Sequence, residues 1–297
     1  ARMALSLLNR SPEIIKWIGV EGLEKIEELA HRTGKESWTT AVSLLEASPA
    51  IIERVGYAGL EQIAGLACLV ARQNSYGAVS ILEKSPDLID HLLPHGGAPL
   101  ALRVYAFAGE AALADWMLAS TLLEKSPVLL TRIGADGLSR LFTLMNKNTT
   151  NSGKIANRLL DVSPAIIDQM GFEGLEILIT CVSTIAEKDW QAAITLVEKS
   201  PRLIERLSSA GDKAIAYGVY QIAALTARTS TAIAVMLLEK SPEFINWVGL
   251  DGFGMIASFV ENTAKEDEEK ALSFLTSNSP AFSDFMESIP KGLELKT

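Results

Sequence analysis

Apolar residues fall into helical groups along the chain, and the groups recur. Ile14, Ile15 and Ile18 stand three, four and seven residues after Ser11; Ile51, Ile52 and Val55 stand likewise after Ser48, and Phe244, Ile245 and Val248 after Ser241. Those offsets trace one face of an α-helix about two turns long. Seven residues before such serines lies Ala4, Ala41, Ala78, Ala119, Ala156, Ala193 or Ala234, followed by apolar pairs such as Leu44-Leu45 and Leu122-Leu123. This predicts a second helix, with a small residue where two helices approach closely. A third stripe, as in Gly22-Leu23-Glu24-Lys25-Ile26-Glu27-Glu28-Leu29-Ala30, predicts another long helix. The expected unit is a short helix followed by two longer ones.

The serines set a period. Ser-Pro begins at Ser11, Ser48, Ser85, Ser126, Ser163, Ser200, Ser241 and Ser279, with spacings of 37, 37, 41, 37, 37, 41 and 38. Three spacings make a 115-residue block that occurs twice and brings Val104-Tyr105 onto Val219-Tyr220. A period of this size is the signature of a repeat architecture. Each Ser-Pro is expected to be a corner between helices. The serine hydroxyl would cap the next helix, proline loses nothing at a first helical position, and Lys84, Lys125, Lys199 or Lys240 suits the end of the helix before.

Glycine then appears at Gly19, Gly56, Gly134, Gly171 and Gly249, and three residues later at Gly22, Gly59, Gly137, Gly174 and Gly252. The first is expected in a left-handed helix C-terminal conformation, and the acid before the second is expected to cap the following helix. Repeats beginning at Ser85 and Ser200 lack this pair and carry four extra residues, so residues 92–97 and 207–212 are expected to be altered, protruding corners.

These patterns give an all-α chain: a right-handed α-solenoid of about seven three-helix repeats. It spans 1–297 as one solenoid, with sub-blocks 1–115, 116–230 and 231–297. Ala4-Leu5-Ser6-Leu7-Leu8 matches a third helix and Gly292-Leu293-Glu294 the start of a second, so a piece of a longer protein is expected.

In helix order and period the unit resembles the armadillo/HEAT class of α-solenoids, which implies a superhelix offering a curved surface to protein or peptide partners. The asparagine ladder of armadillo peptide grooves is replaced here by Ser43, Ser80, Thr121, Arg158 and Thr195, which does not support that mode of capture. More loosely, Ser163-Pro164 through Asp189-Trp190 resembles helical repeats of bacterial proteins that carry a von Willebrand factor A domain and work beside MoxR-type AAA+ ATPases. That likeness implies an adaptor module. The adhesion motif of such a domain is absent, since Asp161-Val162-Ser163-Pro164-Ala165 departs from it at the last position.

Composition narrows the partners. With 27 Lys+Arg against 36 Asp+Glu, the formal charge of −9 opposes the phosphate contacts of nucleic-acid binding and disfavours an anionic membrane. Puf-type RNA recognition also uses eight three-helix repeats, but needs base-reading side chains and a basic groove that the sequence does not offer. Two cysteines, Cys68 and Cys181, make no disulfide framework, and no apolar run approaches the ~18 residues of a membrane span. A cytoplasmic protein without membrane insertion is expected. Its partner is a protein or peptide, with a basic one favoured by charge.

Catalytic and metal chemistry find little support. His91 and His95 are four apart with Pro94 between them and no third ligand beyond adjacent Asp90, and His31 reads as a helix-end cap. His95-Gly96-Gly97 echoes an esterase oxyanion loop, yet no nucleophile elbow exists. No cofactor fingerprint occurs, and Glu266-Asp267-Glu268-Glu269 reads as a solvated helix start. The expected function is a non-enzymatic scaffold. Its candidate contact residues are Trp38, Trp116 and Trp190, each ten residues before a Ser-Pro serine, although packing between repeats is the commoner use for tryptophan there. Trp17 and Trp247 share a different slot. An alternative is an enzyme with a site at the irregular repeats, where Arg103, Tyr105, Tyr217 and Tyr220 are the candidate polar residues.

Overall fold

The structure is a computed structural model; it describes residues 2–148, 153–208 and 213–276. Ser279 and Gly292 lie outside these residues. Among the described residues all elements are helices and none is a strand. They are α1 (Arg2–Glu36), α2 (Trp38–Ala71), α3 (Ser75–Ala114), α4 (Trp116–Asn148), α5 (Gly153–Ala186), α6 (Trp190–Ser208), α7 (Lys213–Ala227), α8 (Thr231–Glu266) and α9 (Glu268–Thr276). The chain forms two compact units, Ala1–Asp161 and Val162–Thr297. In the first, α1 packs on α2, α2 on α3 and α3 on α4; in the second, α6, α7 and α8 pack together and α9 packs on α8.

The long helices are hairpins broken at one glycine. In α2 the arms 38–55 and 57–71 meet at Gly56, with φ 71° and ψ −178°. This combination of positive φ and extended ψ is open essentially to glycine alone. It differs from the left-handed helical conformation expected at that position, and it sends the second arm off at a sharp angle. Gly19, Gly97, Gly134, Gly171 and Gly249 repeat it.

The second glycine of each pair serves close packing. A Cβ on Gly252 would lie 2.4 Å from Val248 Cβ and 2.7 Å from its Cγ2, and one on Gly59 would lie 2.3 Å from Val55 Cγ2. The apolar residue that ends the first arm thus folds over the start of the second. In α3 the same hinge is built in reverse: Gly96 precedes Gly97, and a Cβ on Gly96 would meet Leu100 Cβ at 2.8 Å. Small and large have exchanged places, which is why the glycine pair is missing from that repeat. Its four extra residues do not protrude. They lengthen the first arm to 75–96, against 38–55 in α2. Four residues are close to one turn, so the buried face is preserved. The corresponding residues 209–212 lie outside those described.

Ser-Pro is not a corner. Pro49, Pro86, Pro127, Pro164, Pro201 and Pro242 all lie inside helices whose backbone is non-helical only at the hinge glycine, where α2, α3, α4, α5 and α8 have one. The serines are fully buried, and instead of accepting from the following turn their hydroxyls donate backwards: Ser85 to Ile81 O at 2.7 Å, Ser126 to Leu122 O at 2.6 Å and Ser200 to Leu196 O at 2.7 Å. Burial decides this, because a buried hydroxyl must find an acceptor and the carbonyl one turn back is within its reach. The expected third and first helices therefore run together as one arm. The three-helix unit is observed as a two-arm hairpin.

The caps lie elsewhere, at the turns between hairpins. Asn74 Oδ1 accepts from the N–H of Tyr76 (3.0 Å) and Gly77 (3.1 Å), and Asp189 Oδ1 from Gln191 and Ala192 (both 3.0 Å). Ser37, Asp115, Ser230 and Asp267 cap in the same place. Helix starts at Trp38, Ser75, Trp116, Gly153, Trp190, Thr231 and Glu268 then follow spacings of 37, 41, 37, 37, 41 and 37. Ala41, Ala78, Ala119, Ala156, Ala193 and Ala234 are fully buried, as close helix approach requires.

Side chains tie neighbouring hairpins together. Arg54 donates from Nε and Nη2 to Asp90 Oδ1 and Oδ2 (2.7 and 2.6 Å), which holds the Asp90 carboxyl below its ordinary pKa. Gln73 Nε2 donates to Ala112 O at 2.8 Å; 115 residues on, Lys188 Nζ reaches Ala227 O, Arg228 O and Thr229 O at 3.5, 3.0 and 3.4 Å. The long period conserves the strap while changing its chemistry.

Candidate functional site

The tryptophans divide. Trp38 and Trp190 each open a first arm and are 53% and 48% exposed. Trp116 opens an arm too, but it is half-buried: a Cβ on Gly77 would lie 2.8 Å from its ring, and its backbone N–H donates to Gln73 Oε1 at 3.3 Å. Gly77 makes the room that the indole fills, so one side of Trp116 packs against the neighbouring helix. In the other slot, Trp17 lies under Lys16 Nζ at 4.9 Å and Trp247 sits beside Phe244 with ring centres 6.3 Å apart.

The polar residues of the irregular repeats do not come together. Arg103 and Tyr217 are exposed, whereas Tyr105 and Tyr220 are buried in the core. Tyr220 Oη donates to Ser200 Oγ at 2.8 Å, and Ser200 passes its own proton to Leu196 O. Ser85 and Tyr105 stand at the matching positions 115 residues earlier, but there the buried tyrosine hydroxyl makes no hydrogen bond. Burial pushes both phenols well above their ordinary pKa. Groups so placed are structural. Cys181 is buried as well, which pushes its thiol up to about 12, and Cys68 Sγ lies 3.2 Å from Thr33 Oγ1.

His91 belongs to the lengthened arm of α3, where its Nδ1 sits 2.7 Å from Asp87 O. It lines a small cleft of about 230 Å³ with Lys84, Asp87 and Glu124, between the first arms of α3 and α4. Arg103 and Tyr105 take no part in it. Among the described residues no three His, Cys, Asp or Glu side chains are grouped to hold a metal, and no helix is long and apolar enough to cross a membrane.

A further concavity lies in the second unit, between α7 and the second arm of α8. It is an open groove of about 570 Å³ lined by Ile222, Leu225, Met255, Phe259, Asp251 and Glu261 together with the small residues Gly254, Ala257 and Ser258. Leu225, Met255 and Phe259 are 52%, 49% and 40% exposed. Phe259 is held from behind by Phe274, with ring centres 4.9 Å apart. Glu261 accepts from Thr229 Oγ1 at 3.1 Å and pairs with Lys265 at 3.3 Å.

No protein family, curated protein or solved structure matches the chain. The groove therefore has to be read from its own residues.

Reading the sequence for tryptophan passed over these three side chains, yet a signal was present. Aligned on the hinge glycine, Met255 occupies the column of Lys25, Gln62, Arg103, Arg140 and Ile177, and Leu225 stands 115 residues after Glu110. At these two positions an apolar side chain stands where most or all of the matching positions are polar.

Proposed function

We propose that this chain is a non-enzymatic scaffold that binds protein through the faces of its helical hairpins. The regular spacing of helix starts, the repeated hinge and the straps between neighbours support a right-handed, armadillo/HEAT-like solenoid, built from two-arm units whose first arm runs through Ser-Pro. The observation that carries the functional reading is the groove of the second unit, where Leu225, Met255 and Phe259 keep about half of their surface in water although a well-packed core lies beneath them. Large apolar side chains that fold leaves exposed together are stabilised by a partner.

A photo-crosslinking amino acid placed at Met255, and in a separate variant at Lys240 on the first arm of the same hairpin, tests this in cells. Protein adducts at position 255 that are absent at position 240 are expected. No adduct at either position, with the protein folded and abundant, would sink the scaffold reading for this surface.

A further inference from the structure

The charge of the two units differs sharply. Residues 162–297 hold 11 Lys+Arg against 19 Asp+Glu, a formal −8, whereas residues 1–161 hold 16 against 17, or −1. Nearly all of the chain's −9 therefore belongs to the unit with the groove. The lining has the same sign, with Asp251 and Glu261 as its charged residues, although Glu261 also pairs with Lys265 beside the groove. These carboxylates are ten residues apart on one helical arm, roughly 15 Å along its axis. Between them Met255 and Phe259 follow one another at four residues, with Leu225 of α7 opposite. Gly254 and Ser258, also four apart, hollow the floor beside them.

That geometry describes the seat of a helix. Apolar side chains repeating every four residues form a ridge with a spacing near 6 Å, which the i, i+4 rows of another helix match. The groove's volume of about 570 Å³ has room for several aliphatic side chains. A partner without its own internal hydrogen bonds would have nothing to pair with here, because the walls are helices whose backbone groups are already bonded. Carboxylates at both ends select cations flanking the apolar stripe.

Resting on the scaffold reading above, we propose that the groove between α7 and the second arm of α8 takes one amphipathic helix of a protein partner. Its apolar face packs on Leu225, Met255 and Phe259, and its Lys or Arg residues lie toward Asp251 and Glu261. The acidic surface of the unit accelerates encounter and makes it sensitive to salt, while the apolar contacts hold the complex.

The test uses three labelled synthetic peptides of about 18 residues, five helical turns, with the full chain in fluorescence anisotropy. The first carries Leu along one face and Lys on the flanks; the second replaces Lys with Glu; the third keeps Lys and replaces Leu with Ser. The first is expected to bind at least roughly tenfold more tightly than either of the others. Two variants keep the outcome tied to the groove. Met255→Glu places a charge at a half-exposed position, and Ser258→Trp fills the floor from an exposed helical site; each is expected to weaken binding at least roughly tenfold with an unchanged circular dichroism spectrum. Equal binding by both variants would mean a cation on an acidic surface at large and overturns the proposal. So does preference for the Glu peptide, or no binding of any peptide. If crosslinked partners are captured at Met255 but the captured segments lack a basic amphipathic helix, the scaffold reading survives and this inference fails.

Discussion

The hinge is the best place to test whether the packing has been understood. At most hinges a large residue ends the first arm and glycine sits four residues later; in α3 the order is Gly96 then Leu100. The first kind can be converted into the second. In α8, Gly252→Leu alone would drive a side chain into Val248, whose atoms would lie 2.4 and 2.7 Å from the new Cβ. Overpacking of this kind costs about 1–3 kcal/mol. Val248→Gly alone removes a half-buried valine and puts a glycine in the last turn of the arm, together costing about 2 kcal/mol. Independent effects would therefore sum to about 3–5 kcal/mol. In the double variant the leucine enters the space the valine has left, so a loss smaller than that sum by at least about 1.5 kcal/mol is expected. Hydrogen exchange of amides in 231–266 reads the change where it occurs and avoids assuming that two units unfold together. Strict additivity would show that the clash at Gly252 is relieved in some other way and that the exchange of small and large in α3 is incidental.

Three other outcomes follow from the core and the caps. Ser200→Ala leaves the buried Tyr220 hydroxyl without its acceptor and is expected to cost about 1–3 kcal/mol, much of it recovered when Tyr220→Phe is added; thermal denaturation of the cycle checks this, and additive losses would refute it. Because burial raises the pKa of Tyr105 and Tyr220 above the ordinary value of about 10, the unfolded chain releases these protons first. Stability is therefore complete below about pH 10 and falls as pH rises beyond it, and Tyr220→Phe should shallow that fall in a pH series of melting curves. Asp189→Ala strips the acceptor from the N–H groups of Gln191 and Ala192 and should cost about 1 kcal/mol, with faster exchange confined to the first turn of α6; Asp189→Asn should keep most of the stability.

Much of the local architecture was legible because it is written in residue types that local physics constrains. Glycine at Gly56 is needed for a torsion pair closed to other residues, and the alanines mark helix contacts wherever the chain repeats. The caps were equally local. Ser37, Asn74, Asp115, Asp189, Ser230 and Asp267 form a column of capping residues at the repeat period, the first five each eleven residues before a Ser-Pro serine. Ser-Pro itself admits two readings, a cap at a helix start or a place inside a helix with the hydroxyl turned back. The choice depends on burial, which no dipeptide carries. The irregular repeats were misread for a similar reason: Gly97 lacks a second glycine, and the exchange with Leu100 becomes visible only when the two side chains are in contact.

The candidate site divides in the same way. Trp38, Trp116 and Trp190 share a column, yet only packing against Gly77 separates Trp116 from the two half-exposed rings. Tyr105 and Tyr220 were found by their period, and their place in the core decides that they hold the fold and do not face a partner. Helical segments, hinge glycines and the period can be read from the chain because they depend on contacts within a few residues. Which apolar side chains are left in water depends on how helices far apart in sequence pack together. Leu225, Met255 and Phe259 lie on two helices, and a groove exists only once α7 and α8 are packed side by side.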